Sequence, residues 1–530
     1  MVDNTYTIQQ SPQQEPSAPP AKQYISDLIG ESYQQWSGGM RIVFDAGTNS
    51  GKTHFILNSL IWWAQVRSKK ILYLCNREPL REQVERDAIA VSEDLKRLRL
   101  DLVHPLSHIT VKNYQWLETF YENNPAGAVD YLNNNVGYIV ADEYHYLLTD
   151  ASFNKRTDYT YTLLNQMAEK IPVIFMSATA HPIFDHWLER GDVLPENYYH
   201  IEPDYSFVNR VLFYRTTDEE LELIRQEARR GKVLVFVDST KHLKKLADVL
   251  KAEFPDEVAT ACSDFNRESV NFDGLHALMQ GEKLSKRISI VTTVFYNGIN
   301  IKDDELKCII TRLWNPLINA QILGRKRPLN PNDHCTVCFR EHPKNMLCSI
   351  MSSIDKKQLT PANKFLLKEN DPEQWDEYIH TPGTIDLLDK DCHTVHREKY
   401  GDGWIWDRRA YHQYYIQSQY LDRMIRNGYQ KEQLNMISSK LKEHIDFWKY
   451  PELEKYISEH FGEEIPREVM REEIVRLGHI VNPNNRHKDK KPPSLNIINR
   501  HLYCYGVKIV SKQKRLKNSD RARFWRIESL

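Results

Sequence analysis

Long apolar runs are missing from this sequence. No stretch approaches the roughly 18 residues of a membrane span, and residues 1–23 lack the apolar core of a secretory signal. A cytoplasmic protein is expected. Cysteine is sparse, eight in 530 residues, and scattered, which excludes a disulfide framework and fits a reducing compartment. The tightest group, Cys335 and Cys338 followed by His342 and Cys348, has a spacing that suggests zinc. The surrounding run reads as a β-strand, however, which points Cys335 and Cys338 to opposite faces. Cys392 with His393 and His396 is a weaker case still. Net charge is nearly absent, at -1, and no repeat at solenoid periods is found.

What is present is soluble globular protein, 41% hydrophobic and 27% charged, too long for one ordinary core. Residues 1–23 are rich in Gln and Pro and are expected to form a disordered tail. From Arg41 onward, short β-branched runs alternate with amphipathic stretches. The runs are Ile42–Phe44, Ile71–Cys75, Ile109–Val111, Tyr138–Val140 and Val173–Met176. After a polar connector near residues 194–208 the pattern resumes at Val211–Tyr214, Val233–Val237, Ile288–Val291, Cys308–Ile310 and Thr336–Phe339. This predicts an α/β fold, two tandem parallel-sheet domains over 24–205 and 206–365 with a nucleotide cleft between their strand ends. Residues 366–465, rich in aromatics at helical spacing, read as a helical accessory region whose stripe is expected to be core. Residues 466–530 read as a small separate domain.

Chemistry enters after the first strand. Ala46-Gly47-Thr48-Asn49-Ser50-Gly51-Lys52-Thr53 lies between a strand and a helical stretch, the context of a phosphate loop. Backbone N–H groups at such a helix start face polyphosphate, Lys52 suits the β- and γ-phosphates, and the Thr53 hydroxyl suits Mg²⁺. Tyr138–Ala141 ends in Asp142 and Glu143. Paired carboxylates at a buried strand end are costly unless they face a metal or a cleft. Asp142 suits the metal and Glu143 the base that activates water.

Asp142-Glu143-Tyr144-His145 resembles the DExH box of superfamily 2 helicases. The phosphate loop is similar to that family's Ala-x-Thr-x-Ser-Gly-Lys-Thr, which accounts for Ala46 where a glycine is usual. Met176-Ser177-Ala178-Thr179 resembles its Ser-Ala-Thr motif. Cys75-Asn76-Arg77 with Leu80 and Gln83 resembles its first nucleic-acid-contacting motif. Val291-Thr292-Thr293 with Asn297-Gly298-Ile299-Asn300-Ile301 resembles motif V. Gln321-Ile322-Leu323-Gly324-Arg325-Lys326-Arg327 resembles motif VI in the compact form of herpesvirus origin-binding and certain phage or mobile-element helicases.

The resemblance covers roughly residues 30–345 and implies two RecA-like lobes. It implies ATP and Mg²⁺ as cofactors, nucleotide contacts from Thr48, Asn49, Ser50, Gly51, Lys52, Thr53, Gly298, Asn300 and Gln321, and an arginine finger at Arg325 or Arg327. Arg77, Thr292 and Thr293 are the implied nucleic-acid contacts. For reading the adenine base, Gln34 and Gln35 are candidates, with Tyr33 or Trp36 as alternatives that could equally be core.

The charge balance is uneven. Between Arg486 and Arg526 thirteen Lys and Arg face only Asp489 and Asp520, a local net of +11, the footprint of a phosphate-binding surface. Ser494–Leu502 reads as an amphipathic helix ending near Gly506, and Arg467–Leu477 as another. Val507–Val510 and Phe524–Ile527 read as strands around a basic turn carrying Lys512, Lys514, Arg515 and Lys517. Helix plus basic hairpin resembles a winged-helix domain. The expected function is an ATP-dependent helicase or translocase on DNA, single-stranded or forked, with RNA as the alternative substrate. Replication or repair in a phage, mobile element or bacterium is the expected setting. A duplex translocase in remodelling or anti-phage defence, and an ATP-gated origin-binding protein, remain open alternatives.

Overall fold

The computed structural model describes residues 23–97, 107–152, 154–262, 278–296, 300–398, 403–438, 440–441, 445–480, 492–515 and 521–530. The Gln/Pro-rich tail, Gly298 and Lys517 lie outside the described residues.

Six strands, β1 (Arg41–Ala46), β2 (Ile71–Cys75), β3 (Ile109–Asn113), β4 (Tyr138–Ala141), β5 (Val173–Ser177) and β6 (Tyr198–Ile201), form one sheet in the order β3-β2-β4-β5-β1-β6. Every pairing in it is parallel. Residue alternation explains why both faces are covered. Val43, Leu72, Leu74, Ile139 and Phe175 enter one core, while Ile42, Phe44, Ile71, Val140 and Ile174 enter another. The expected polar connector near 194–208 holds β6, paired with β1. It is an edge strand with Tyr199 buried and His200 exposed, so its sequence reads as polar rather than as a continuous apolar run.

A second all-parallel sheet uses β7 (Val208–Tyr214), β8 (Lys232–Phe236), β9 (Val258–Ala261), β10 (Ile288–Val291), β11 (Leu306–Thr311), β12 (Cys335–Arg340) and β13 (Ile445–Phe447), ordered β13-β7-β12-β11-β8-β10-β9. Cys335 lies in the core on one face and Cys338 in the core on the other. Strand alternation thus separates the two thiols of the zinc-like spacing. β13 comes from the segment expected to be helical and pairs with β7.

That segment otherwise holds helices Pro372–His380, Thr384–Lys390, Arg408–Asn427 and Tyr429–Ile437, and an antiparallel pair of Val395–Arg397 with Trp404–Trp406. Trp375 is buried in a small core with Ala362, Leu388 and Val395, whereas Tyr415 is 46% exposed. The Arg408–Asn427 helix braces the lobes. Its Ile416 and Tyr420 enter a core of the first sheet, and its Leu421 and Met424 a core of the second. The last part of the chain packs helices Pro451–Glu459, Arg467–Leu477 and Leu495–Leu502 with a three-stranded antiparallel sheet of Glu464–Pro466, Val507–Arg515 and Arg521–Ser529. The two long strands extend well beyond the short runs legible in the sequence.

Candidate nucleotide cleft and nucleic-acid face

The loop after β1 turns on two residues with left-handed backbone, Asn49 (φ 64) and Gly51 (φ 83), which Asn and Gly tolerate best. A helix then starts at Lys52 and runs to Val66 through one wider turn at Ile56–Leu60. Lys52 Nζ donates to the carbonyls of Ala46 (2.6 Å) and Gly47 (2.9 Å), so the ammonium curls into its own loop. Burial pulls its pKa down, opposed by the charges of Glu143 and Asp142. The Ser50 hydroxyl is buried with no hydrogen-bond partner. Gly47 is needed for close approach, since a Cβ there would lie 2.6 Å from Pro203 Cα.

Asp142 and Glu143 follow β4. Tyr73 donates its hydroxyl to Asp142 Oδ2 at 2.6 Å, and Tyr114 donates to the Asp142 carbonyl at 2.8 Å. Glu143 sits at φ 50, a strained backbone of the kind that collects at functional sites. Burial raises the Asp142 carboxyl, and the neighbouring Glu143 charge raises it further. Burial also acts upward on Glu143, but the hydrogen bond from His145 and the charges of His145, Arg325 and Lys52 outweigh it and hold Glu143 well below the ordinary carboxylate range. Glu143 is therefore the more acidic member of the pair.

The second lobe closes the cleft. Arg325 Nη2 stands 3.6 Å from Glu143 Oε1. Arg327 donates from Nε and Nη2 to Asn300 Oδ1 at 3.1 and 2.9 Å, and burial with the adjacent Arg325 charge pulls it down to about 10. Among the described residues no carboxylate forms an ion pair with Arg327. The resulting cavity, about 430 Å³, is lined by Thr48, Ser50, Lys52, Thr53, Asp142, Glu143, Asn300, Arg325 and Arg327 among others. Gly324 lies where the two lobes meet, because a Cβ on it would stand 2.9 Å from Thr48 Cγ2.

A polar chain links the cleft to the Ser-Ala-Thr segment. His145 Nδ1 lies 3.2 Å from both Glu143 Oε2 and Ser177 Oγ. Ser177 Oγ accepts from Thr179 N, and Thr179 Oγ1 accepts from Gln321 Nε2 at 2.5 Å. Gln321 thus sits beside the cavity rather than in its wall.

Leu80 and Gln83, expected with the nucleic-acid motif, instead line the nucleotide cavity, one turn along the helix that Glu78 begins. Arg77 pairs with buried Asp150 at 3.0 Å. Thr292 and Thr293 lie at the end of β10, where Thr292 N donates to Ala261 O. Lys512 is 3.7 Å from Glu464, and Lys514 and Arg515 belong to the strand rather than to the turn. Trp36 is 4% exposed and packs against Phe44 and Phe55, which makes it core; Tyr33 packs edge-on against Trp36, Phe55 and Trp63.

Sequence reasoning missed Tyr73, Tyr114 and Asp45. A tyrosine within the otherwise apolar Ile71–Cys75 was the one available signal. Asp45 Oδ1 is 2.6 Å from His181 Nδ1, and its Oδ2 is 2.8 Å from both His200 Nδ1 and the Tyr198 hydroxyl. These partners lie far away in sequence.

Residues 30–185 match the family model described as DEAD/DEAH box helicase. This part of the chain is similar to DEAD/DEAH box helicase domains. No curated protein matches the chain. Among solved structures, S. cerevisiae Dbp5 bound to RNA and ADP BeF3 is 15% identical, covering 59% of this chain and 82% of that one with a TM-score of 0.38. Mycobacterium smegmatis helicase Lhr bound to ssDNA and AMP-PNP is also 15% identical, covering 75% of this chain and 59% of that one at 0.41. Escherichia coli DEAH/RHA helicase HrpB is 13% identical, covering 60% and 42% at 0.38.

Proposed function

We propose that this chain is an ATP-driven motor that separates or translocates along DNA strands. The observation that carries the reading is one cleft uniting Lys52, Thr53, Asp142 and Glu143 of one lobe with Asn300, Arg325 and Arg327 of the other. Lys52, now bonded to loop carbonyls, exchanges them for β- and γ-phosphate oxygens. The buried Asp142 carboxylate and the Thr53 hydroxyl form an oxygen donor set that fits Mg²⁺. Bound there, the cation neutralises phosphate charge. Glu143, held ionised, accepts the proton of the attacking water. Arg327 is the better arginine finger, being a half-buried cation whose described hydrogen bonds go to a neutral amide, whereas Arg325 faces Glu143.

Nucleic acid crosses the lobes past Arg77, Thr292 and Thr293. The C-terminal sheet and helices act as a winged-helix-like clamp on duplex or fork, supported by the local net charge of +11 and by Lys512, Lys514 and Arg515 on one hairpin strand. The setting proposed is replication or repair in a phage, mobile element or bacterium. ATP hydrolysis measured in parallel with single-stranded DNA, duplex DNA and RNA, alongside displacement of a labelled strand from a fork, tests the reading. Stimulation by RNA alone overturns the DNA assignment, and no stimulation by any nucleic acid overturns the motor.

A further inference from the structure

The geometry points to a second site for a nucleotide phosphate, on the far side of the first lobe from the ATP cleft. Arg41 opens β1 and the phosphate loop follows its other end, a separation of about 16 Å along the strand. Around Arg41 lies a cavity of about 560 Å³, closed on one side by helices Thr157–Ala168 and His181–Arg190 and on the other by Trp406 and the start of the Arg408–Asn427 helix. It is larger than the cleft holding Lys52 and falls in the size range of small-ligand sites, which favour such junctions between structural units.

Its walls are cationic and aromatic. Arg41, Arg190, Arg408 and Arg409 contribute guanidiniums, and Asp192 is the one carboxylate of the lining. Arg190 pairs with Asp192 at 3.3 Å. Arg409, 6% exposed, is 3.6 Å from Asp158 and lies over the Tyr161 ring at 3.7 Å. Arg41 and Arg408 have no carboxylate within ion-pair distance among the described residues. Arg41 reaches only Asn165 Oδ1 at 3.4 Å, and its Nε is buried without a partner. Arg408 lies 6.0 Å over Trp406, whose indole Nε1 is likewise buried without a partner. Two uncompensated guanidiniums and an unsatisfied indole N–H call for an anion with several acceptor oxygens, and Trp406 and Tyr411 offer ring faces for a base. A nucleotide unit, free or within a strand, supplies both.

Occupancy by a strand rests on the motor reading above, whereas occupancy by a free nucleotide does not. The test measures binding of labelled AMP and of a labelled ten-residue oligothymidylate to the full chain and to Arg41→Ser/Arg408→Ser. Nucleic-acid-stimulated ATPase is followed in parallel to report on the motor itself. Affinity for at least one of the two probes falls tenfold or more in the variant, and the probe that responds identifies the source. Arg408→Glu, at an exposed position, repeats the measurement should the double variant melt early. If both affinities stay within twofold in folded variants, the site is overturned, whatever the ATPase shows.

Discussion

Gly324→Ala places one methyl group where the two lobes meet. The glycine closes the Pro316–Leu323 helix with φ -63 and ψ -8, ordinary helical backbone, so alanine is not strained there and gains about 0.5–1 kcal/mol of intrinsic helix preference. The new Cβ would sit 2.9 Å from Thr48 Cγ2 and 3.0 Å from Thr48 Oγ1. Non-bonded carbons settle near 3.5–4.0 Å, so the lobes must part by about 0.5–1 Å. Thr48 cannot swing freely, being β-branched. Overpacking of this kind costs about 1–3 kcal/mol, or roughly 5- to 150-fold in rate if it falls on the closed, hydrolysing arrangement alone. Steady-state ATPase with saturating nucleic acid should therefore lose kcat by that factor. Nucleotide affinity and melting temperature should stay near wild type, and Thr48→Ser, which removes Cγ2, should restore part of the loss. Unchanged kcat, or a loss that tracks a lower melting temperature, refutes the argument.

Lys52→Ala should abolish nucleic-acid-stimulated ATPase and leave nucleic-acid binding within a few fold, checked by phosphate release and a mobility-shift assay. Arg327→Lys should lower kcat by about 10³-fold or more if it stabilises the transferring phosphoryl group; a larger loss in Arg325→Lys would reverse the two roles. His200 should confer pH-dependent stability through Asp45. The hydrogen bond to Asp45 raises its pKa from 6.5 to about 9, so the contribution is complete below pH 6.5 and is lost as pH rises toward 9. With the side chain 40% exposed, the full shift's ~3 kcal/mol shrinks to about 1 kcal/mol. Denaturant unfolding of wild type and His200→Gln should differ at pH 6 and converge by pH 10; a constant difference would sink the attribution.

The strands of both lobes were legible because each is a short β-branched run between helices, and the phosphate loop and DExH segment because their residues are contiguous. Edge strand β6 was not, since only part of it is buried, and edge strand β9 was not, since its Val-Ala-Thr-Ala carries no continuous β-branched apolar run. Neither was β13, whose Ile-Asp-Phe is too short to show a period. Leu80 and Gln83 illustrate a further limit. Their spacing fits a nucleic-acid motif, but the direction of the helix from Glu78 turns them into the nucleotide cavity.

By itself the sequence determined that a phosphate loop, a paired carboxylate and two parallel α/β units exist here, because local pattern and strand-end chemistry are encoded in neighbouring residues. Only the tertiary structure decided which charges meet. It set Arg325 against Glu143 and Arg327 on Asn300, joined Gln321 to Thr179, placed Tyr73 on Asp142, and brought Arg41 and Arg408 to the wall of one cavity. These partners are separated by tens to hundreds of residues, and strand pairing within each sheet together with packing between the lobes, rather than any local preference, brings them together.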